Sequence, residues 1–231
     1  MVVITGTSSG IGKAVAEFYL SKGESVIGIG RRHTISHPDY QAVVCDLSDQ
    51  QAVEALEIEV GENCVLINNA GILGNVQRIS DQERADLSEV LQVNVVAPAI
   101  LMNKLSKSCG DEYHLTVVNI SSGAAKRAIP SWAAYCSSKA ALEMLSETFF
   151  LEEREKGRTT KVYCVAPGVV DTGMQAKIRT VSPEDFSASA GFHTYKKNNE
   201  LADPAEVAAK LYRLLQLPYY DQVNYSLRDI M

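Results

Sequence analysis

Val2-Val3-Ile4-Thr5-Gly6-Thr7-Ser8-Ser9-Gly10-Ile11-Gly12 joins a short apolar run to a glycine-rich turn and then to an amphipathic stretch. The apolar run has the length of a buried strand. Glycines at G-x-x-x-G-x-G let backbone turn sharply and approach a ligand closely. The helix that follows, over about 11–21, aims unpaired N–H groups and the positive end of its dipole at that turn. Strand, glycine turn and helix in this order predict a pyrophosphate held over Gly6, Ser8, Ser9, Gly10, Ile11 and Gly12. The spacing is neither G-x-G-x-x-G nor a Walker loop.

Outward from this unit the chain keeps alternating. Gly23 ends the first helix. Strands are predicted over 25–29 and 41–45, then a helix from a cap at Ser48 or Asp49 to about Glu59. Further strands follow over 64–67, 115–120 and 161–165, with a last short one over 223–227. Long helices are predicted over 82–108 and 132–156, and another over 204–216. Strands alternating with helices imply βαβ units, and continuous apolar strands imply a parallel sheet covered on both faces. The fold class is therefore α/β, a single domain over 1–231, with a doubly wound parallel sheet of about seven strands. Such sheets bind ligands beyond the carboxyl ends of their strands.

Composition narrows the function. The chain has 231 residues, 46% of them hydrophobic and 22% charged, with net charge −6. An acidic chain with only the pairs Arg31-Arg32, Lys126-Arg127 and Lys196-Lys197 does not suit nucleic acid. Val95 to Met102, eight residues with a proline, is far short of a bilayer span, so no membrane partner is expected. The start of the chain lacks a basic region and a long apolar core, so no signal peptide is expected. Five scattered cysteines without a C-x-x-C pair suit reduced thiols in the cytoplasm. His33 and His37 are spaced like metal ligands, but Pro38 follows and a third ligand is lacking, so no metal is expected.

The end of the second strand discriminates between dinucleotides. An NAD site carries a carboxylate there for the ribose 2′-hydroxyl. This chain has Gly30, then Arg31 and Arg32, which can clasp a 2′-phosphate, so NADP(H) is the expected cofactor. The alternative is a solvated arginine pair. Asp46-Leu47 stands where an adenine would lie, although Asp46 is equally placed to cap the next helix.

Tyr135 and Lys139 lie four apart on a predicted helix and share one face. A free phenol has a pKa near 10. A neighbouring ammonium lowers it and makes a general acid for a carbonyl becoming an alkoxide. Ser122, or Ser121 beside it, ends the fifth strand and can polarise the same oxygen.

The glycine turn, Asn68-Asn69-Ala70-Gly71, Asn94, Ser122, Tyr135-x-x-x-Lys139 and Pro167-Gly168-x-x-x-Thr172 together resemble the classical short-chain dehydrogenase/reductases, in order and spacing from residue 2 to about 172. The resemblance implies a Rossmann-type fold and selects Ser122 over Ser121. It implies that Asn94 holds a water linking Lys139 to solvent, and that Lys139 also binds the nicotinamide ribose. Asn69, Ala70 and Gly71 would brace the fourth strand close to the cofactor. Pro167 and Gly168 carry the last motif, in which the Val170 backbone and Thr172 side chain would hold the carboxamide. The runs over 117–126, 134–140 and 167–176 are similar to bacterial benzil reductases that form (S)-benzoin, a group itself similar to sepiapterin reductase. That narrower likeness implies an NADPH-dependent reduction of a small carbonyl substrate, an α-dicarbonyl or aromatic ketone.

Substrate choice is expected from Gly123 to Trp132, with Ala124, Ile129 and Trp132 as apolar walls, and from a lid over 173–200. The lid carries Met174, Ile178, Phe186, Phe192 and Tyr195. Residues 31–40 look too short for a full helix, and Cys136 reads as packing. The region Asn224-Tyr225-Ser226-Leu227 lacks the glycine–aspartate pair common in the family, at an end that often meets another subunit. Two long helices with Phe149-Phe150-Leu151 on one of them predict a homodimer, with a tetramer as the larger assembly. The rival reading is an NADP(H)-sensing binding protein without catalysis, disfavoured by the retained tyrosine and lysine.

Overall fold

The computed structural model describes residues 1–109 and 114–230. Seven strands form one parallel sheet: β1 (Val2–Thr5), β2 (Val26–Gly30), β3 (Tyr40–Val44), β4 (Asn63–Asn68), β5 (His114–Ile120), β6 (Lys161–Ala166) and β7 (Asn224–Ser226). Their order is β3-β2-β1-β4-β5-β6-β7, and every pairing is parallel. The winding reverses between β1 and β4, which opens a crevice at their carboxyl ends.

Both faces of the sheet are covered, which is why the central strands are apolar throughout. Val3, Ile27, Ile29, Leu66, Val117 and Val162 pack toward α2 (Gln50–Glu54), α4 (Ala97–Cys109) and α5 (Ala133–Glu155). Val2, Ile4, Val26, Ile67, Val118 and Val165 pack toward α1 (Gly10–Ser21) and α8 (Pro204–Gln216). Adjacent strand residues thus serve opposite layers. Asp203 accepts from Ala205 N at 2.7 Å and Pro204 opens the first turn, which sets the start of α8.

Two helices differ from expectation. The helix predicted to about Glu59 ends at Glu54. Beyond it Leu56, Ile58 and Val60 are half-buried and pack against the core, while Glu57 and Glu59 are exposed. That is a period of two, so the segment runs extended. The long helix predicted over 82–108 is α3 (Arg84–Leu91), a π-helical turn over Gln92–Val96, and α4. Pro98 has no N–H for the carbonyl of Asn94, and its ring clashes with a carbonyl four residues back. Widening the turn relieves both, and the Ala97 N–H bonds Gln92 O instead.

The continuous stretch Arg84–Cys109 is long and apolar enough in composition to cross a bilayer, although its apolar residues are interrupted by polar ones. Its Val90, Val93, Ala97, Leu101, Met102 and Leu105 are buried in the fold instead. Residues 31–39 contain no helix, as their length predicts. The segment over 173–200 is more ordered than a simple lid loop: it contains α6 (Gly173–Arg179) and α7 (Ser189–Lys197).

Candidate active site

A cavity of about 1030 Å³ opens at the carboxyl ends of the strands. The glycine turn forms its floor. Gly6 and Gly10 have φ of +75° and +57°, a region that penalises side chains. A Cβ on Gly12 would strike the Asn69 amide and the Gly6 carbonyl. Ser9 caps α1 by position only, with no side-chain hydrogen bond, so the first-turn N–H groups are not claimed by its hydroxyl. Asn69 Nδ2 donates to Thr5 O at 2.9 Å, and Thr5 Oγ1 accepts from the N–H groups of Asn69 and Ala70. The end of β4 thereby braces the end of β1. This cradle fits the phosphates of a dinucleotide.

Ser8, Ile11, Gly30, Arg31, Arg32, Asp46 and Leu47 continue the wall. Arg31 faces Asp46 at 3.7 Å. Asp46 also accepts from Ser48 N at 3.0 Å and Ser48 Oγ at 2.7 Å. These Ser48 bonds are the main reason its carboxyl is held below the ordinary value, with Arg31 adding to them. Asp46 therefore closes a turn before α2 and pairs with an arginine; the cap of α2 itself is Asp49. Tyr40 OH bonds Thr7 Oγ1 at 2.7 Å and His33 Nδ1 at 2.9 Å, pinning the connection after β2 over the glycine turn. Among the described residues, no cluster of three His, Cys, Asp or Glu is placed to hold a metal.

Across the crevice stand Ser122, Tyr135 and Lys139. Ser121 Oγ donates to the buried Glu143 at 2.9 Å, and Lys126 Nζ bonds the same carboxylate at 2.8 Å. Ser121 is thus engaged in holding the strand end, while Ser122 lines the cavity together with Tyr135 and its hydroxyl accepts from Ala124 N at 3.2 Å. Lys139 Nζ donates to Ile120 O at 2.7 Å and lies 5.8 Å from the Tyr135 ring centre. Burial lowers the Lys139 amine to about 8. Burial raises the Tyr135 phenol, and the nearby Ser122 hydroxyl opposes this. The expected lowering of the tyrosine by its lysine is not what governs the phenol: burial raises it, with Cys136 adding to the rise.

Gly12 and Asn94 stand behind the wall rather than in it. Asn94 Oδ1 accepts from Ile72 N, and its Nδ2 donates to Ile72 O and Ser138 Oγ, each at 2.9 Å. The amide clamps the π-helical turn to the loop after β4 and to α5. A Cβ on Gly71 would lie 3.3 Å from Asn94 Oδ1 and 3.4 Å from Lys139 Nζ, so glycine lets these groups approach.

Pro167, Gly168, Val170 and Thr172 line the same opening, and Thr172 would meet a Cβ on Gly10 at 3.2 Å. From there α6 arches over the cavity, and Lys177 Nζ donates to Gly74 O on the far side at 3.2 Å. Asp171 accepts from Lys196 of α7 at 2.6 Å. Trp132 packs edge-on to Tyr135 at 5.5 Å and stacks on Phe186 at 5.3 Å. Leu73, Gln175 and Arg228 also line the cavity, and the motifs had not indicated them. Gln175 lies within the 167–176 run and the expected lid, without a role of its own assigned there; nothing in the sequence marks Arg228.

A model of the short chain dehydrogenase family matches residues 1–182. The chain is 34% identical to a benzil reductase ((S)-benzoin forming) of Bacillus subtilis (strain 168), over 100% of this chain and 99% of that protein. It is 31% identical to sepiapterin reductase of Rattus norvegicus over 93% and 90% of the two chains. A 4-hydroxyisoleucine dehydrogenase mutant solved with NADH and succinate superposes with TM-score 0.79 at 26% identity, covering 97% of this chain and 95% of the other.

Proposed function

The chain belongs to the short-chain dehydrogenase family, oxidoreductases that use NAD(P)(H), and we propose that it is an NADPH-dependent carbonyl reductase acting on aromatic ketones and 1,2-diketones. The observation that carries this reading is that one wall of the cleft brings together Ser122, Tyr135 and the buried Lys139 amine. The reduced cofactor supplies the hydride.

The chain supplies the rest. The glycine turn would hold the pyrophosphate and Asp46-Leu47 the adenine side. Lys139 would bind the ribose, and Val170 and Thr172 the carboxamide. Gly30 leaves room beside the ribose, and Arg31 and Arg32 favour a 2′-phosphate. Ser122 donates to the carbonyl oxygen and orients it. Tyr135 gives that oxygen its proton. Burial keeps the phenol protonated at neutral pH, which is the form reduction needs. At pH 7 Lys139 is mostly charged, and its charge steadies the phenolate left after proton transfer. Asn94 would hold the water through which the proton is replaced.

The lid over 173–200 covers the substrate, with Trp132, Ile178 and Phe192 as apolar wall. A homodimer in the cytoplasm completes the reading. Met144 and Leu151, seven apart on α5, are 63% and 60% exposed, and the five cysteines are free thiols. The test is NADPH oxidation with aromatic diketones, aliphatic ketones, quinones and pterins. Aromatic diketones should lead. Tight NADPH binding with no carbonyl reduced in any class would replace this reading with a cofactor-sensing role.

A further inference from the structure

The connection between β2 and β3 carries Arg31 and Arg32 at the cleft but has no helix to hold them. Arg31 leans on Asp46 at 3.7 Å, whereas the exposed Arg32 faces no carboxylate among the described residues. The residues that follow are seated. His33 Nδ1 lies 2.9 Å from Tyr40 OH, and its Nε2 is closed off from solvent. Thr34 Oγ1 donates to Ser8 O at 3.1 Å, and Ile35 packs with Tyr40 in the α1 and α8 layer. Tyr40 OH also bonds the buried Thr7 Oγ1 at 2.7 Å. A Cβ on Gly28 would strike both hydroxyls, so β2 has a glycine where this relay crosses it. Residues 33 and 34 are thus tied to residues 7 and 8 of the glycine turn. The ties fix the arginine pair against the turn that would hold the pyrophosphate. A 2′-phosphate and a pyrophosphate hang on one ribose, so their two sites must keep a matching separation.

We propose that His33 and Tyr40 are positioning residues for cofactor choice: their bond holds Arg31 and Arg32 at the spacing a ribose 2′-phosphate needs, and so selects NADPH over NADH. This rests on the NADPH reading of the cleft. A loop already ordered spares its ordering cost when the phosphate arrives. NADH makes no use of the arginines. The glycine turn also keeps braces of its own, from Gly6 N to Ile29 O at 2.8 Å and from Asn69 Nδ2 to Thr5 O at 2.9 Å. Loosening the relay therefore weakens NADPH and leaves NADH.

The test is the Kd of NADPH and of NADH, read by nucleotide fluorescence without substrate. His33→Phe keeps an aromatic ring beside Tyr40 and removes the bond. It should weaken NADPH about tenfold, the scale of one hydrogen bond, and leave NADH within about twofold. His33→Asn, whose side-chain nitrogen falls near the place of Nδ1, should keep the natural preference. In a protein carrying Arg31→Ala and Arg32→Ala, His33→Phe should weaken NADPH no further, because the relay acts through the arginines. Tyr40→Phe cuts the same bond from its other side and serves if His33→Phe fails to fold. An equal loss of both cofactors, a further loss without the arginines, or His33→Asn behaving like His33→Phe overturns the proposal. A natural preference for NADPH that survives His33→Phe overturns the proposal and leaves the NADPH reading standing. A natural protein that binds both cofactors equally overturns the two together.

Discussion

Replacing Lys139 by methionine should stabilise the free protein at neutral pH while weakening catalysis, and the gain should fade in alkali. Lys139 is 4% exposed, and burial takes its amine from the ordinary 10.5 to about 8. A depressed lysine pKa means that the folded state releases a proton the unfolded chain keeps. Folding is therefore penalised below about pH 8, and the penalty lifts as pH rises toward 10.5. At 1.36 kcal/mol per pKa unit, it is about 3 kcal/mol at pH 7 and about 1 kcal/mol at pH 10. Methionine has nearly the same shape and no charge. It also gives up the bond to Ile120 O, a loss of about 1–3 kcal/mol if that carbonyl stays unpaired. That loss, like any change in packing, is the same at both pH values. The decisive quantity is thus the difference between the two: relative to the natural protein, the variant should be about 2 kcal/mol more favoured at pH 7 than at pH 10. Urea unfolding of the ligand-free proteins at both pH values measures it. A stability difference independent of pH would refute the claim that the amine is held in a desolvated site.

Tyr135→Phe should retain NADPH binding, followed by fluorescence, and lose about 10²–10⁴-fold in carbonyl reduction, the usual scale for a positioned acid; near-normal turnover would remove Tyr135 from that role. The natural protein should use NADPH at least about ten times more efficiently than NADH, equivalent to about 1.4 kcal/mol. A Cβ on Gly30 meets nothing closer than 3.9 Å, so Gly30→Asp with Arg31→Ala should fit and should reduce or reverse that preference through added repulsion and lost attraction; kcat/KM with each cofactor decides, and equal values in the unmodified protein would mean the arginines serve solvent. Light scattering at micromolar concentration should find a dimer, and Met144→Glu with Leu151→Glu should give monomers; a 25.2 kDa particle before substitution would contradict the exposed α5 stripe as an interface.

Much of the architecture was legible because it depends on local periodicity. Apolar runs of strand length, separated by helical stretches, imply a parallel sheet wherever both faces must be covered, and the layers on either side of β1 do divide Val3 from Val2 and Ile4. The glycine turn was legible because positive φ and close approach exclude side chains. Tyr135 and Lys139 were placed together by helix geometry alone. What the sequence could not decide depends on groups far apart in the chain. Leu56, Ile58 and Val60 run extended because the core offers them a strand-like seat. The π-helical turn is consistent with Pro98, yet its use in clamping Ile72 to α5 through Asn94 needs all three in place. Strand position alone leaves Ser121 and Ser122 equivalent, and the family spacing favours Ser122 without giving the physical reason. Glu143, 22 residues on, takes the first and leaves the second to the cleft. Gln175 reads as an ordinary polar helix residue until α6 folds over the cavity and shuts its amide oxygen away from water. Chain spacing sets which residues can share a face; only the packed structure sets which polar groups find partners and which are left for a ligand, because hydrogen bonding and desolvation act through space.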